Sequence, residues 1–191
     1  MPICSRAVLK QDYLNIPASD NSLDKTFDRW ITIAENEIED ICGQSIVAKQ
    51  CTYYVRGTTD HLLWLGLTVP MTLVSVASRA NMTEDFAPIT GTASVVSVDG
   101  VQHLATTGTW TAAEYRIVAT TGYATVPNVI ELCAYELVTE LYFASAFAPG
   151  GSRFGVSAIT DSAGGVSVSK TITSARAKIE PRLRPYRRIV I

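Results

Sequence analysis

The chain has 191 residues, 47% hydrophobic and 18% charged, an ordinary globular composition at a length that fits one domain, or one domain carrying an insertion, and excludes disorder throughout. Sixteen Lys and Arg against eighteen Asp and Glu leave a formal charge of −2, so the protein as a whole is no electrostatic trap for nucleic acid and any basic site is local. No stretch approaches the ~20 apolar residues of a membrane span, and the opening MPICSRAVLKQDYL lacks the apolar core of a signal peptide, so the expectation is a protein made in a reducing cytoplasm.

A short helical turn is expected around residues 10–15, broken by Pro17. From residue 23 to 42, Leu23, Phe27, Trp30, Ile31, Ala34, Ile38, Ile41 and Cys42 recur at steps of three and four and predict the strongest helix of the chain. Asn21 or Ser22 can cap its start, and Gly43 supplies a left-handed stop. Its carboxylates Glu35, Glu37, Glu39 and Asp40 lie opposite the apolar face and read as a solvated surface, with no companion cluster to hold a metal.

After Gly43 the residues become Val-, Ile-, Thr- and Tyr-rich. Strands are predicted over 45–56, 61–67, 72–79, 94–98, 101–106 and 115–120, separated by turn signals at 57–60, Pro70, 88–91, 99–100 and Gly108. Asp99-Gly100 is a two-residue hairpin turn, since both positions tolerate positive φ. Residues 45–122 therefore predict a compact antiparallel sheet or small barrel. His103 falls in an alternating strand with one face to solvent and His61 follows a turn, and without a Gly-x-Ser-x-Gly elbow neither makes a hydrolytic triad. Cys4, Cys42, Cys51 and Cys133 are scattered, with no CxxC pair, and read as reduced, mostly buried thiols.

Helix returns at Pro127, placed at the first helical position, with a broad apolar face to about Phe147. The stretch 148–165 is glycine-rich and loop-like. Its Gly150-Gly151-Ser152-Arg153-Phe154-Gly155 resembles a phosphate loop only superficially, because no Lys-Ser/Thr follows and a helix precedes it. Between Arg176 and Arg188 six positive charges meet the single Glu180. That density predicts a partner. Pro181 should end or kink a short helix and Pro185 end it again, leaving an extended tail that closes Ile-Val-Ile. Sequence-specific DNA readout is not expected, because this stretch has one aromatic residue and no recognition-helix frame.

The expected fold is α+β: long antiparallel-type helices packed together, an inserted antiparallel β-sheet or small β-barrel, and an extended C-terminal tail. Residues 1–44 and 123–148 would form the helical core, 45–122 the β insertion, 149–172 a Gly/Ser-rich loop with room for a β-hairpin, and 173–191 a short helix and basic tail.

The order of motifs resembles the head-tail connector (adaptor) proteins of tailed bacteriophages. It runs from Asp12-Tyr13-Leu14 through an acidic spacer to the helix ending Glu39-Asp40-Ile41-Cys42-Gly43. A β insertion then leads through Tyr115-Arg116-Ile117-Val118 to Thr121-Gly122-Tyr123, Val126-Pro127 and a second long helix, and the chain closes on Leu183-Arg184-Pro185-Tyr186-Arg187-Arg188. The resemblance covers nearly the whole chain apart from 149–165. It implies a virion protein at the head-tail neck, made in the host bacterial cytoplasm, without catalysis or cofactor. Such a protein forms a homo-oligomeric ring, commonly dodecameric, between the portal protein and a stopper or tail-completion protein, and genomic double-stranded DNA passes through it. By that resemblance the portal-docking residues are Arg182, Arg184, Pro185, Tyr186, Arg187, Arg188, Ile189 and Ile191, and Asp24, Asp28, Glu35 and Glu39 are candidates to face the lumen. The competing readings are a stopper or tail-completion protein of the same neck, a DNA-binding protein using the basic terminus, and a nucleotide-binding or enzymatic role for the glycine-rich loop.

Overall fold

Helix α1 (Arg6–Val8) widens at once into a single π turn, Leu9–Tyr13, and the left-handed Asn15 then turns the chain towards helix α2 (Asp24–Cys42). The computed structural model describes residues 2–89, 93–145, 158–163, 166–171 and 175–189. Tertiary contacts divide the chain into two units, Met1–Ile38 with Pro127–Arg184, and Glu39–Val126 with Pro185–Ile191.

In the first unit the predicted stripe of α2 is buried at Phe27, Ile31, Ala34 and Ile38. Neither Asn21 nor Ser22 caps the helix through its side chain. The Asp20 carboxylate instead accepts from the Ser22 backbone N–H at 3.0 Å, and the Asn21 carbonyl accepts from that of Asp24. Helix α3 (Asn128–Ala144) starts one residue later than expected, because Pro127 keeps an extended ψ of 137° while its carbonyl accepts from Ile130 and Glu131. Ile130, Cys133, Ala134, Leu137 and Val138 are buried, whereas Val129, Leu132 and Phe143 stay exposed on the same helix. Its closest helical partner is α4 (Ala175–Leu183), while Tyr142 reaches the α2 rings Phe27 and Trp30 at 6.0 and 6.3 Å between centroids. Strands β8 (Ala158–Ala163) and β9 (Val166–Thr171) pair antiparallel as a hairpin. The phosphate-loop-like residues 150–155 lie outside the described residues.

The second unit holds strands β1 (Lys49–Arg56), β2 (Leu62–Leu67), β3 (Met71–Arg79), β4 (Ala87–Pro88), β5 (Ala93–Val98), β6 (Val101–Thr106) and β7 (Glu114–Thr121). They form two antiparallel sheets, ordered β1-β7-β3-β4 and β2-β6-β5. The small-barrel alternative is thus corrected: among the described residues neither sheet closes, and both contribute to one core that includes Leu63, Leu65, Leu67, Leu104, Trp110, Tyr115 and Ile117. Trp110 packs edge-on against Tyr115 and donates its indole N–H to the His61 carbonyl at 2.9 Å. Asp99 and Gly100 take φ of 51° and 79°, the two left-handed positions a tight hairpin needs. The two-residue β4 has no sequence periodicity to betray it, and its Pro88 sits on the edge strand, where a missing N–H costs nothing.

One expectation fails inside this unit. His103 is buried, 6% exposed, with its ring edge-on to Trp64 and Nδ1 3.0 Å from the Val101 carbonyl. On that face its cross-strand partner Trp64 packs against it.

Candidate docking surface at the C-terminal segment

Helix α4 is built from an apolar pair and a basic set at helical spacing. Ile179 and Leu183, four residues apart, are fully buried. Lys178 and Arg182, also four apart, meet Glu140 and Glu136 of α3, itself an i, i+4 pair; Arg182 reaches both Glu136 oxygens, at 2.7 and 2.8 Å. Arg176 pairs with Glu37 of α2 at 2.6 Å. Three of the six basic residues that suggested an external partner are therefore matched by carboxylates of their own unit. One-dimensional charge counting missed this because the acids lie about forty positions or more earlier in the chain. Pro181 stays inside α4 and does not end it, and the bond it cannot make lies in the last turn of a nine-residue helix.

Beyond Leu183 a 3-10 turn, Arg184–Tyr186, carries the chain into the second unit, where the tail is held through Ile189. The tail, expected to be extended and tied down at its apolar end, is held here by main-chain contacts: the buried Gln44 amide donates to the Tyr186 carbonyl at 2.6 Å and to the Thr68 hydroxyl, and its oxygen accepts from the Thr68 N–H at 3.1 Å. The Arg188 N–H donates to the Cys42 carbonyl at 2.7 Å and the Ile189 N–H to the Gly66 carbonyl at 2.8 Å. Arg187 Nε donates to the Ile41 carbonyl at 3.0 Å and Arg188 Nε to that of Leu65 at 3.3 Å. The Arg188 guanidinium also lies over the Tyr53 ring, and Tyr186 meets Tyr123 edge-on. Burial pushes the Tyr53 and Tyr123 hydroxyls above the ordinary tyrosine value, and at Tyr53 the Arg188 charge works against that shift.

Of the eight proposed docking residues, Arg184, Pro185, Arg187 and Ile189 present exposed side chains. Arg182 is engaged with Glu136, Tyr186 and Arg188 are half-buried, and Ile191 lies outside the described residues. The residues that hold the tail, Gln44, Gly66 and Thr68, were missed by sequence reasoning. Gly66 carried the available signal, a lone glycine in the apolar run Leu-Trp-Leu-Gly-Leu, which marks a bulge or a close backbone approach. It is both: the β2–β6 register shifts between Trp64 and Leu67, φ is +69°, and a Cβ there would overlap the Ile189 carbonyl oxygen.

The four acidic candidates have partners within the chain. Arg6 bonds Asp28 at 2.7 and 2.8 Å and lies 3.3 Å from Asp24, which also accepts from the buried Lys10 at 2.9 Å. Glu35 accepts from the Ile3 N–H at 2.6 Å. Glu39 accepts from Lys49 at 2.7 Å and from the Ser45 hydroxyl and Ile46 N–H, both at 3.1 Å. Partial burial works against the Glu39 charge, yet these bonds win and hold its carboxyl below the usual glutamate range. Elsewhere, His61 Nδ1 sits 2.5 Å from the Gly108 carbonyl. None of the four cysteines is in a disulfide; Cys4, Cys42 and Cys133 are buried, and burial beside Glu35 and Glu131 pushes the Cys4 thiol up to about 12. Among the described residues no group of three or more His, Cys, Asp or Glu is placed to hold a metal, and no helix is long and apolar enough to cross a membrane.

No protein-family model and no curated protein matches the chain. Solved structures do. A chain from the neck of an empty gene transfer agent (GTA) particle computed with C6 symmetry is 15% identical, with a TM-score of 0.61 over 98% of this chain and 91% of that one. A chain from the neck of a native GTA particle computed with C12 symmetry is 13% identical, with a TM-score of 0.57 over 97% of this chain and 91% of that one. The fold defined above is therefore one that occurs in the neck of a phage-like particle, and it is shared along almost the full length of both chains.

Proposed function

We propose that this protein is a structural component of a head-tail neck, an adaptor that forms a ring, in this reading a dodecamer, beneath a portal protein. It continues the channel for double-stranded DNA and offers its far side to a stopper or tail-completion protein. The observation that supports this most is fold likeness over 98% of the chain to a neck component, joined to the order of sequence motifs that resembles phage adaptors. The role requires shape, interfaces and charge, and no catalysis. The portal-docking surface in this reading is the set of tail side chains left outward by the seat, Arg184, Pro185, Arg187 and Ile189, whose positive charge suits an acidic partner surface. In this reading Asp24, Asp28, Glu35 and Glu39, each also bonded within the chain, are the residues that face the lumen.

The test is mass photometry of a purified portal assembly with and without this protein, with free duplex DNA as control. A mass increment of one whole ring on the portal, reduced by the pair Arg184→Glu and Arg187→Glu, is the expected result. No increment on any portal, together with salt-sensitive binding of free duplex, would replace the adaptor with a DNA-binding protein.

A further inference from the structure

We infer that the seat on the second unit, formed by the end of α2, Gln44, Gly66 and Thr68, is an intersubunit site, and that in an assembly of copies it receives the C-terminal tail of a second copy of this chain. The seat is built to read main chain. The tail's carbonyls at 186 and 187 are met by Gln44 and Thr68, and its N–H groups at 188 and 189 by the carbonyls of Cys42 and Gly66. Gln44 is 8% exposed, so its amide is a fixed, desolvated reader, and the absence of a side chain at Gly66 is what admits the Ile189 carbonyl. Every one of these bonds is satisfied equally by the tail of another molecule, since copies share the tail's sequence. Exchange therefore conserves the contact energy and changes only how the connecting segment runs.

The connection favours exchange. The tail leaves the first unit at Arg184–Pro185, where the contact-defined boundary falls, and the junction lies in a 3-10 turn whose Pro185 fixes φ and stiffens the link. A tail handed from each copy to the next makes a heterologous, head-to-tail contact, which closes into a ring when the rotation allows. The inference takes from the proposed neck role only that copies meet; no portal enters its test, so the two can fail separately.

The test uses two full-length variants. Gly66→Val keeps the tail and closes the seat. The pair Arg188→Pro and Ile189→Pro keeps the seat and removes the tail's two N–H donors. Each alone should sediment as a single chain, and the equimolar mixture should give a species of twice the mass. A fluorescein-labelled peptide of sequence Pro-Tyr-Arg-Arg-Ile-Val-Ile, followed by anisotropy, should bind the proline variant. Wild type should bind it at least ~10-fold more weakly, because its own tail competes at the millimolar effective concentration of a tethered ligand. Gly66→Val should not bind it. Should Gly66→Val fail to fold by circular dichroism, the peptide and the proline variant decide alone. A folded pair that stays unmixed at 100 µM, or a folded proline variant that ignores the peptide, overturns the inference.

Discussion

Gly66 interrupts an apolar strand with a left-handed backbone, and the Ile189 carbonyl occupies the space a side chain would need. Gly66→Ala therefore combines an unfavourable φ with a steric clash. We expect a loss of about 1–3 kcal/mol in urea denaturation, with faster hydrogen exchange at the Arg188 and Ile189 amides. Trp110 carries a different kind of weight. It is 1% exposed, stacked edge-on with Tyr115 and hydrogen-bonded to the His61 carbonyl, so Trp110→Ala should cost about 3–5 kcal/mol in thermal or urea unfolding, whereas Trp110→Phe, which keeps most of the buried area, should cost distinctly less. Equal losses for the two would place the value of Trp110 in its hydrogen bond instead of its packing.

At the scale of elements, α4 is held by burial more than by charge. Its ion pairs are half-exposed, Arg182 and Glu136 being 37% and 43% exposed, and such pairs contribute about 0.2–1 kcal/mol. A double-mutant cycle on Arg182 and Glu136 should return a coupling below about 1 kcal/mol that shrinks in high salt, while Ile179→Ala alone should cost about 2–4 kcal/mol. A coupling above that of Ile179 would mean the helix is pinned electrostatically. The matched spacing of Lys178 and Arg182 against Glu140 and Glu136 then serves to set the rotation of α4 on α3, which fixes the point from which the tail departs.

For the molecule as a whole, the titrating groups bound stability on both sides. Glu39 has a folded pKa below its ordinary value, so its contribution is present above that value and is lost as pH falls through the folded one. Cys4 and Tyr135 are shifted upward to about 12, mainly by burial, from ordinary values of 9.0 and 10.0. Their neutral forms are favoured in the fold, so the native state holds protons the unfolded chain has released, and stability falls as pH rises from about 9 towards 12. Urea midpoints measured against pH should form a dome. Glu39→Gln should flatten its acid limb and Cys4→Ala its alkaline limb; a wild-type profile level across either range would contradict the corresponding shift.

The sequence by itself determined the elements whose signal is local. The 3.6-residue stripe of α2, the left-handed stop at Gly43, the Asp99-Gly100 turn and the strand positions follow from backbone sterics and from which face of each element is apolar, properties that neighbouring residues settle among themselves. The density of charge in the C-terminal segment was equally legible. What only the tertiary structure decided were the matters that depend on residues distant in the chain. Two sheets share one core instead of closing into a barrel, and His103, on a face that alternation alone gives to solvent, is buried against its cross-strand partner Trp64. Carboxylates of α2 and α3 answer half of the basic cluster, and a glutamine 142 positions earlier receives the carbonyl of Tyr186. Pairing energy depends on distance in space, and a linear reading measures only distance along the chain.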